Sequence, residues 1–136
     1  MAPDRAPAPP DMLREMARPY WLPVSGGSMY PRLRDGDLVH VVPFPADETR
    51  LPCPGDLILF LLDGLPVVHR YAGVARGLHI ERADRSGQSR PFNPNDILGV
   101  VTARKRSNRV TTIGLPLRWR ILREWLRITA NFRRQP

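Results

Sequence analysis

Read as a pattern of apolar and polar positions, the chain alternates short β-branched runs with turns. "RDGD" leads into "LVHVV" (Leu38 to Val42), and "CPGD" leads into "LILFLL" (Leu57 to Leu62). "DGLP" returns the chain into "VVHRYAGV" (Val67 to Val74), which predicts a hairpin between those two runs. "ARG" opens "LHIERA" (Leu78 to Ala83), "DRSGQSRPFNPND" reads as a polar loop, and "ILGVVTA" (Ile97 to Ala103) is the last well-marked strand. Ahead of these, "PDMLREMARPYW" predicts a short helix started by Pro10-Asp11 and stopped by Pro19. Together they predict a mainly β (β-rich α+β) domain, compact and mostly antiparallel.

The end of the chain changes period. Leu117, Ile121, Trp125, Ile128 and Phe132 fall on one helical face, widened by Trp119, Leu122 and Leu126. Arg120, Arg123, Arg127 and Arg134 gather opposite. Such a helix either packs on its own domain or lies in a membrane interface with its arginines at headgroups. Nucleic acid is the weaker alternative, since no DNA-reading motif accompanies the arginines. The expected organisation is a flexible arm over 1–10, one catalytic domain over 11–113 and a basic amphipathic helix over 114–136.

Composition narrows the class. At 136 residues the chain holds one domain, and 16 prolines with 10 glycines suit many short elements. The net charge of +8 is nearly all arginine, with Lys105 the only lysine, and Cys53 alone makes an intrachain disulfide impossible. "MAPDRAPAPP" lacks the apolar stretch of a signal peptide, and the longest apolar run is broken by Asp63, Gly64 and Pro66. The expected location is therefore cytoplasmic, with peripheral attachment at the inner membrane surface through residues 115–134 as an option.

The chemistry begins at "SGGSMYPRLRDGD", from Ser25 to Asp37. A serine hydroxyl needs a neighbouring base and donors for the developing oxyanion. Gly26 and Gly27 leave the backbone beside Ser28 open to a substrate carbonyl, and Pro31 stiffens the exit. His40, His69 and His79 all fall in predicted strands, so position within a strand does not choose among them as a base. Asp37 and Asp56 begin strands after turns and read as structural.

"GGSMYPRLRDGDLVHV", "PGDLILF", "VVHRYAGV" and "ERADRSGQSRPFNPNDILGVV" resemble, in that order, the four boxes of the signal peptidase I and LexA-type serine peptidase superfamily. The resemblance covers about Val24 to Ala103 and implies a signal-peptidase/LexA-like β-rich peptidase fold with Ser28 as nucleophile. Where most bacterial relatives carry a lysine base, this chain has His69, and Lys105 lies past the last box. The pairing of Ser28 with His69 is similar to that of the endoplasmic-reticulum and archaeal signal peptidases. The resemblance further implies Asp84 as the acid that orients His69, with Asp96 second, although the Lys-Gly-Asp of the third box is Arg82-Ala83-Asp84 here. Oxyanion donors are expected at Ser28, Gly26 and Ser25, and substrate contacts at Met29 and Pro31.

The expected activity is a Ser-His serine endopeptidase that removes a signal or leader segment from a polypeptide precursor after small residues, without cofactor or metal. The alternative is a non-catalytic peptidase-fold module that binds a protein partner or an anionic membrane surface.

Overall fold

The computed structural model describes residues 10–44 and 51–113. Residues 1–9 of the arm and the C-terminal amphipathic helix expected from the sequence lie outside these described residues, while Pro10 belongs to the first helix. A short helix, α1 (Pro10–Glu15), precedes eight strands: β1 (Tyr20–Pro23), β2 (Leu38–Pro43), β3 (Leu57–Leu62), β4 (Leu65–Ala75), β5 (Leu78–Arg82), β6 (Ser89–Phe92), β7 (Ile97–Arg106) and β8 (Arg109–Thr112). They form one sheet in the order β1-β2-β7-β3-β4-β5-β6, with β8 added to the end of β7, and every pairing is antiparallel.

Three two-residue hairpin turns set the register. Asp63-Gly64, Arg76-Gly77 and Ser107-Asn108 all have positive φ at both positions, the geometry that matches the twist of flanking antiparallel strands. The first joins β3 to β4 with Leu62 opposite Leu65, as "DGLP" predicts. The other two join β4 to β5 and β7 to β8.

β3 is buried on both faces, which is why it reads as an unbroken apolar run. Leu57 and Leu59 join Met29, Leu33, Val39, Val41, Val68 and Val101 in one core cluster, which Leu13 of α1 and Ile113 close. Ile58 and Phe60 point the other way, into a second cluster with Tyr71, Ile97 and Val100. Burying an aliphatic side chain contributes about 1.5–3 kcal/mol, so these two clusters are the main source of stability.

Besides the outer edges of β6 and β8, two further strand edges stay open. β1 pairs only with β2, and β4 pairs with β5 only from Arg70 onward. Among the described residues, the stretch Leu65 to His69 therefore has a partner strand on one side alone. No helix among the described residues is long and apolar enough to cross a membrane.

Candidate active site

Ser28 sits in the turn between β1 and β2. Tyr30 N–H donates to the Gly27 carbonyl at 3.1 Å and Leu33 N–H to the Met29 carbonyl at 3.0 Å, so the turn is closed on itself. Met29 and Leu33, at 2% and 1% exposure, anchor it in the first core cluster. The turn is also tied to the connection after β5: Arg85 N–H donates to the Ser28 carbonyl at 2.9 Å, and Asp84 N–H reaches Met29 Sδ at 3.4 Å. A buried anchor on one side and a backbone hydrogen bond on the other leave the Ser28 hydroxyl exposed but fixed in direction.

Opposite Ser28 stands His69 of β4, with its Nε2 3.2 Å from Ser28 Oγ. Its Nδ1 lies 2.5 Å from Glu81 Oε2. Glu81 is 2% exposed and His69 8%, and the Phe60 ring packs beside the imidazole with centroids 5.7 Å apart. With the Glu81 carboxylate accepting from Nδ1–H, Nε2 is left as an acceptor for the serine hydroxyl proton. A hydroxyl, an imidazole and a carboxylate thus stand in one hydrogen-bonded row.

Glu81, not Asp84, is the acid against His69. Antiparallel pairing sets Arg70 opposite Arg82 and Tyr71 opposite Glu81, and directly paired residues share a face. His69, Tyr71 and Glu81 therefore lie on one face, and Glu81 is the diagonal neighbour of His69. Arg70, Arg82 and Asp84 belong to the other. Asp84 is engaged there by Arg70, whose Nε and Nη2 meet its two oxygens at 2.8 and 2.7 Å while Nη1 reaches the Gly55 carbonyl. The Arg70 hydrogen bonds hold the Asp84 carboxyl below the usual carboxylate range. Asp96, the second candidate, makes no hydrogen bond to His69 and instead meets Arg14 at 3.4 Å. Numbering alone does not mark Glu81: the Arg76-Gly77 turn sets odd positions against even ones, as in Val74 opposite His79, and only the irregularity between Tyr71 and Gly73 brings odd-numbered β4 residues onto the face of Glu81.

The remaining expectations divide. Ser25 and Gly26 line the groove beside Ser28, but the Gly26 N–H donates to Asp35 Oδ1 at 3.0 Å and so is occupied as an oxyanion donor. Among the described residues no acceptor takes the Ser28 N–H. Met29 floors the groove as a buried side chain. Pro31 points away from it, into a separate cavity of about 410 Å³ with Arg32, Asp84 and Arg104. Asp37 and Asp56 accept turn N–H groups from Arg34 and Cys53 at 2.8 and 2.9 Å, as turn acids should. His40 bonds Thr102 and His79 bonds the Tyr71 hydroxyl, so neither approaches Ser28.

The groove that the row opens on has a volume of about 620 Å³. Trp21 to Val24 of β1 and its exit form one wall and Leu65 to His69 of β4 the other, while Leu33 and Leu59 share the floor with Met29. Its walls are two strand edges that have no partner strand among the described residues. An extended peptide laid between them finds main-chain donors and acceptors on both sides. Among the described residues no group of three or more His, Cys, Asp or Glu side chains is arranged to hold a metal ion.

No curated protein matches the chain. The Peptidase S24-like family matches residues 2–102, a span that holds the serine turn, the histidine strand, Glu81 and the groove between the open edges. By that match the chain belongs to the S24-like peptidases, the LexA and signal-peptidase type of serine peptidase.

Proposed function

We propose that the chain is a serine endopeptidase acting through Ser28, His69 and Glu81 on a polypeptide precursor, from which it removes a signal or leader segment. The observation that carries this reading is the continuous row from Ser28 Oγ through His69 to Glu81, at 3.2 and 2.5 Å, opening on a groove between two unpaired strand edges.

In this mechanism the substrate lies as a strand in the groove, with small residues before the cut. Ser28 Oγ bonds to the peptide carbonyl carbon as its proton passes to His69 Nε2. Glu81 stabilises the imidazolium from the far side. The Ser28 N–H is the main-chain donor best placed for the oxyanion. Collapse of the tetrahedral intermediate breaks the C–N bond, His69 returns the proton to the leaving amine, and an acyl ester remains on Ser28. Water then adds to the ester carbonyl, giving a proton to His69; the bond from the carbonyl carbon to Ser28 Oγ breaks, His69 returns the proton to Oγ, and the carboxylic acid product leaves. Histidine suits the task where a lysine would need deep desolvation, because its unperturbed pKa is already near neutrality.

The test is cleavage of a panel of leader and signal peptides with alanine or leucine before the scissile bond. Ser28→Ala and His69→Ala should each lower kcat/KM by about 10³-fold or more. Equal cleavage by both variants and the wild type would refute the mechanism. The occupied Gly26 N–H favours one alternative, a peptide-binding module that holds its ligand without turnover; peptide binding by the wild type with no cleavage of any panel member would establish it.

A further inference from the structure

Beside the nucleophile, outside the lining of the groove, stands a cation with no carboxylate partner among the described residues. The Arg85 backbone N–H holds the Ser28 carbonyl at 2.9 Å, and its guanidinium folds back over Gly27. A Cβ built on Gly27 would lie 2.9 Å from Arg85 Nη1, so the space a side chain would fill next to Ser28 is taken by the guanidinium. Among the described residues no carboxylate pairs with Arg85. The nearby acids are spoken for: Asp84 by Arg70, and Asp35 by the Gly26 N–H. Residues 82–90 carry Arg82, Arg85 and Arg90 against the single acid Asp84. Neither Gly27 nor Arg85 lines the apolar groove, although Gly26, Ser28 and His69 do.

From this placement we infer that Arg85 forms a carboxylate subsite, selecting substrates with Asp or Glu just past the reacting bond on the side that leaves the groove. This deepens the endopeptidase reading and rests on it. A peptide that fills the groove and continues past Ser28 leaves the apolar lining and next meets the guanidinium. Arginine presents paired N–H donors that match a carboxylate, and here they lie beside backbone held rigid by the Ser28–Arg85 bond. The open position makes the selection moderate and sensitive to salt.

The experiment uses an alanine-rich peptide along which a single Asp or Lys is walked, with binding to Ser28→Ala protein followed by fluorescence anisotropy. At one or two adjacent positions Asp should bind about fivefold more tightly than Lys, and adding Arg85→Glu should reverse that order. Gly27→Ala puts a methyl group where the guanidinium lies and should abolish the preference with Arg85 still present. Thermal melting of both variants should match the parent, since one side chain is exposed and the other is a methyl group facing a flexible arm. An Asp-to-Lys ratio that Arg85→Glu leaves unchanged at every position, undetectable binding included, overturns the inference. The same peptides given to the wild-type protein separate the two readings. Charge reversal without any cleavage supports the subsite and sinks the peptidase reading, whereas cleavage indifferent to charge does the opposite.

Discussion

Glu81 carries a cost that its geometry must offset. A carboxylate at 2% exposure loses most of its hydration, and the His69 Nδ1–H at 2.5 Å is the compensating donor. On the proposed mechanism, Glu81→Gln keeps the volume but offers an amide N–H to Nδ1, so the proton moves to Nε2 and the base is lost. The expected fall in kcat is about 10³–10⁴-fold with peptide binding retained. Asp84→Asn removes the ionic partner of Arg70 and loosens the segment that grips Ser28 and Met29, for about a tenfold loss and an unchanged pH–rate profile. Steady-state kinetics of the two variants decide the matter: a greater loss from Asp84→Asn would reverse the roles given to the two acids. Ser28 and His69 were readable from the order of the boxes, because each motif carries its own residue. Glu81 was not, because the link between residues 69 and 81 exists only once β4 and β5 are paired in register.

At the scale of elements, β7 holds the molecule together and Gly99 is its tightest point. Gly99 lies opposite Pro43 of β2 and Leu59 of β3, next to the register shift of the β3 pairing. A Cβ there would meet the Val42 carbonyl oxygen at 2.5 Å and Val41 Cγ1 at 2.7 Å, and backbone cannot swing aside as a flexible side chain can. Gly99→Ala should therefore destabilise the fold by about 3 kcal/mol in urea unfolding, and a loss below about 0.5 kcal/mol would show that β2 yields freely. The same dependence on neighbours explains which strands the sequence pattern reveals. β3 and the core of β4 stand out because apolar runs meet an Asp-Gly turn. β1, β6 and β8 have four residues each, two of them containing proline, and they exist through pairing with β2, β5 and β7. Ser107-Asn108 turns the chain into β8 without the glycine that marks the other two hairpins. The loop expected after Ala83 thus contains β6 and a single 3-10 turn, Pro94–Asp96, capped by the Asn93 side chain.

Over the whole molecule, two ion pairs fasten distant parts of the chain and set its response to acid. Asp37 follows the Ser28 turn, is 3% exposed, and receives Arg106 from the far end of β7 through both oxygens at 2.9 and 2.8 Å. Asp84 and Arg70 fasten the connection after β5 to β4. Each arginine hydrogen bond holds its carboxyl below the ordinary 3.8. The folded state consequently binds fewer protons than the unfolded one as these groups titrate, so stability rises with pH there. Their contribution is complete above the unfolded value and drains away as pH falls through the lowered folded values. Circular dichroism melts should show Tm independent of these groups above about pH 5 and falling below about pH 4. Asp37→Asn should lower Tm by several degrees at pH 7 and make the acid limb shallower, and adding Asp84→Asn should flatten it further. Arg106→Gln tests the same link from the cationic side, removing the largest cause of the lowered Asp37 carboxyl and reducing the acid dependence with the carboxylate intact. An acid limb equally steep in the wild type and in the double asparagine variant would place the origin of acid sensitivity elsewhere in the chain.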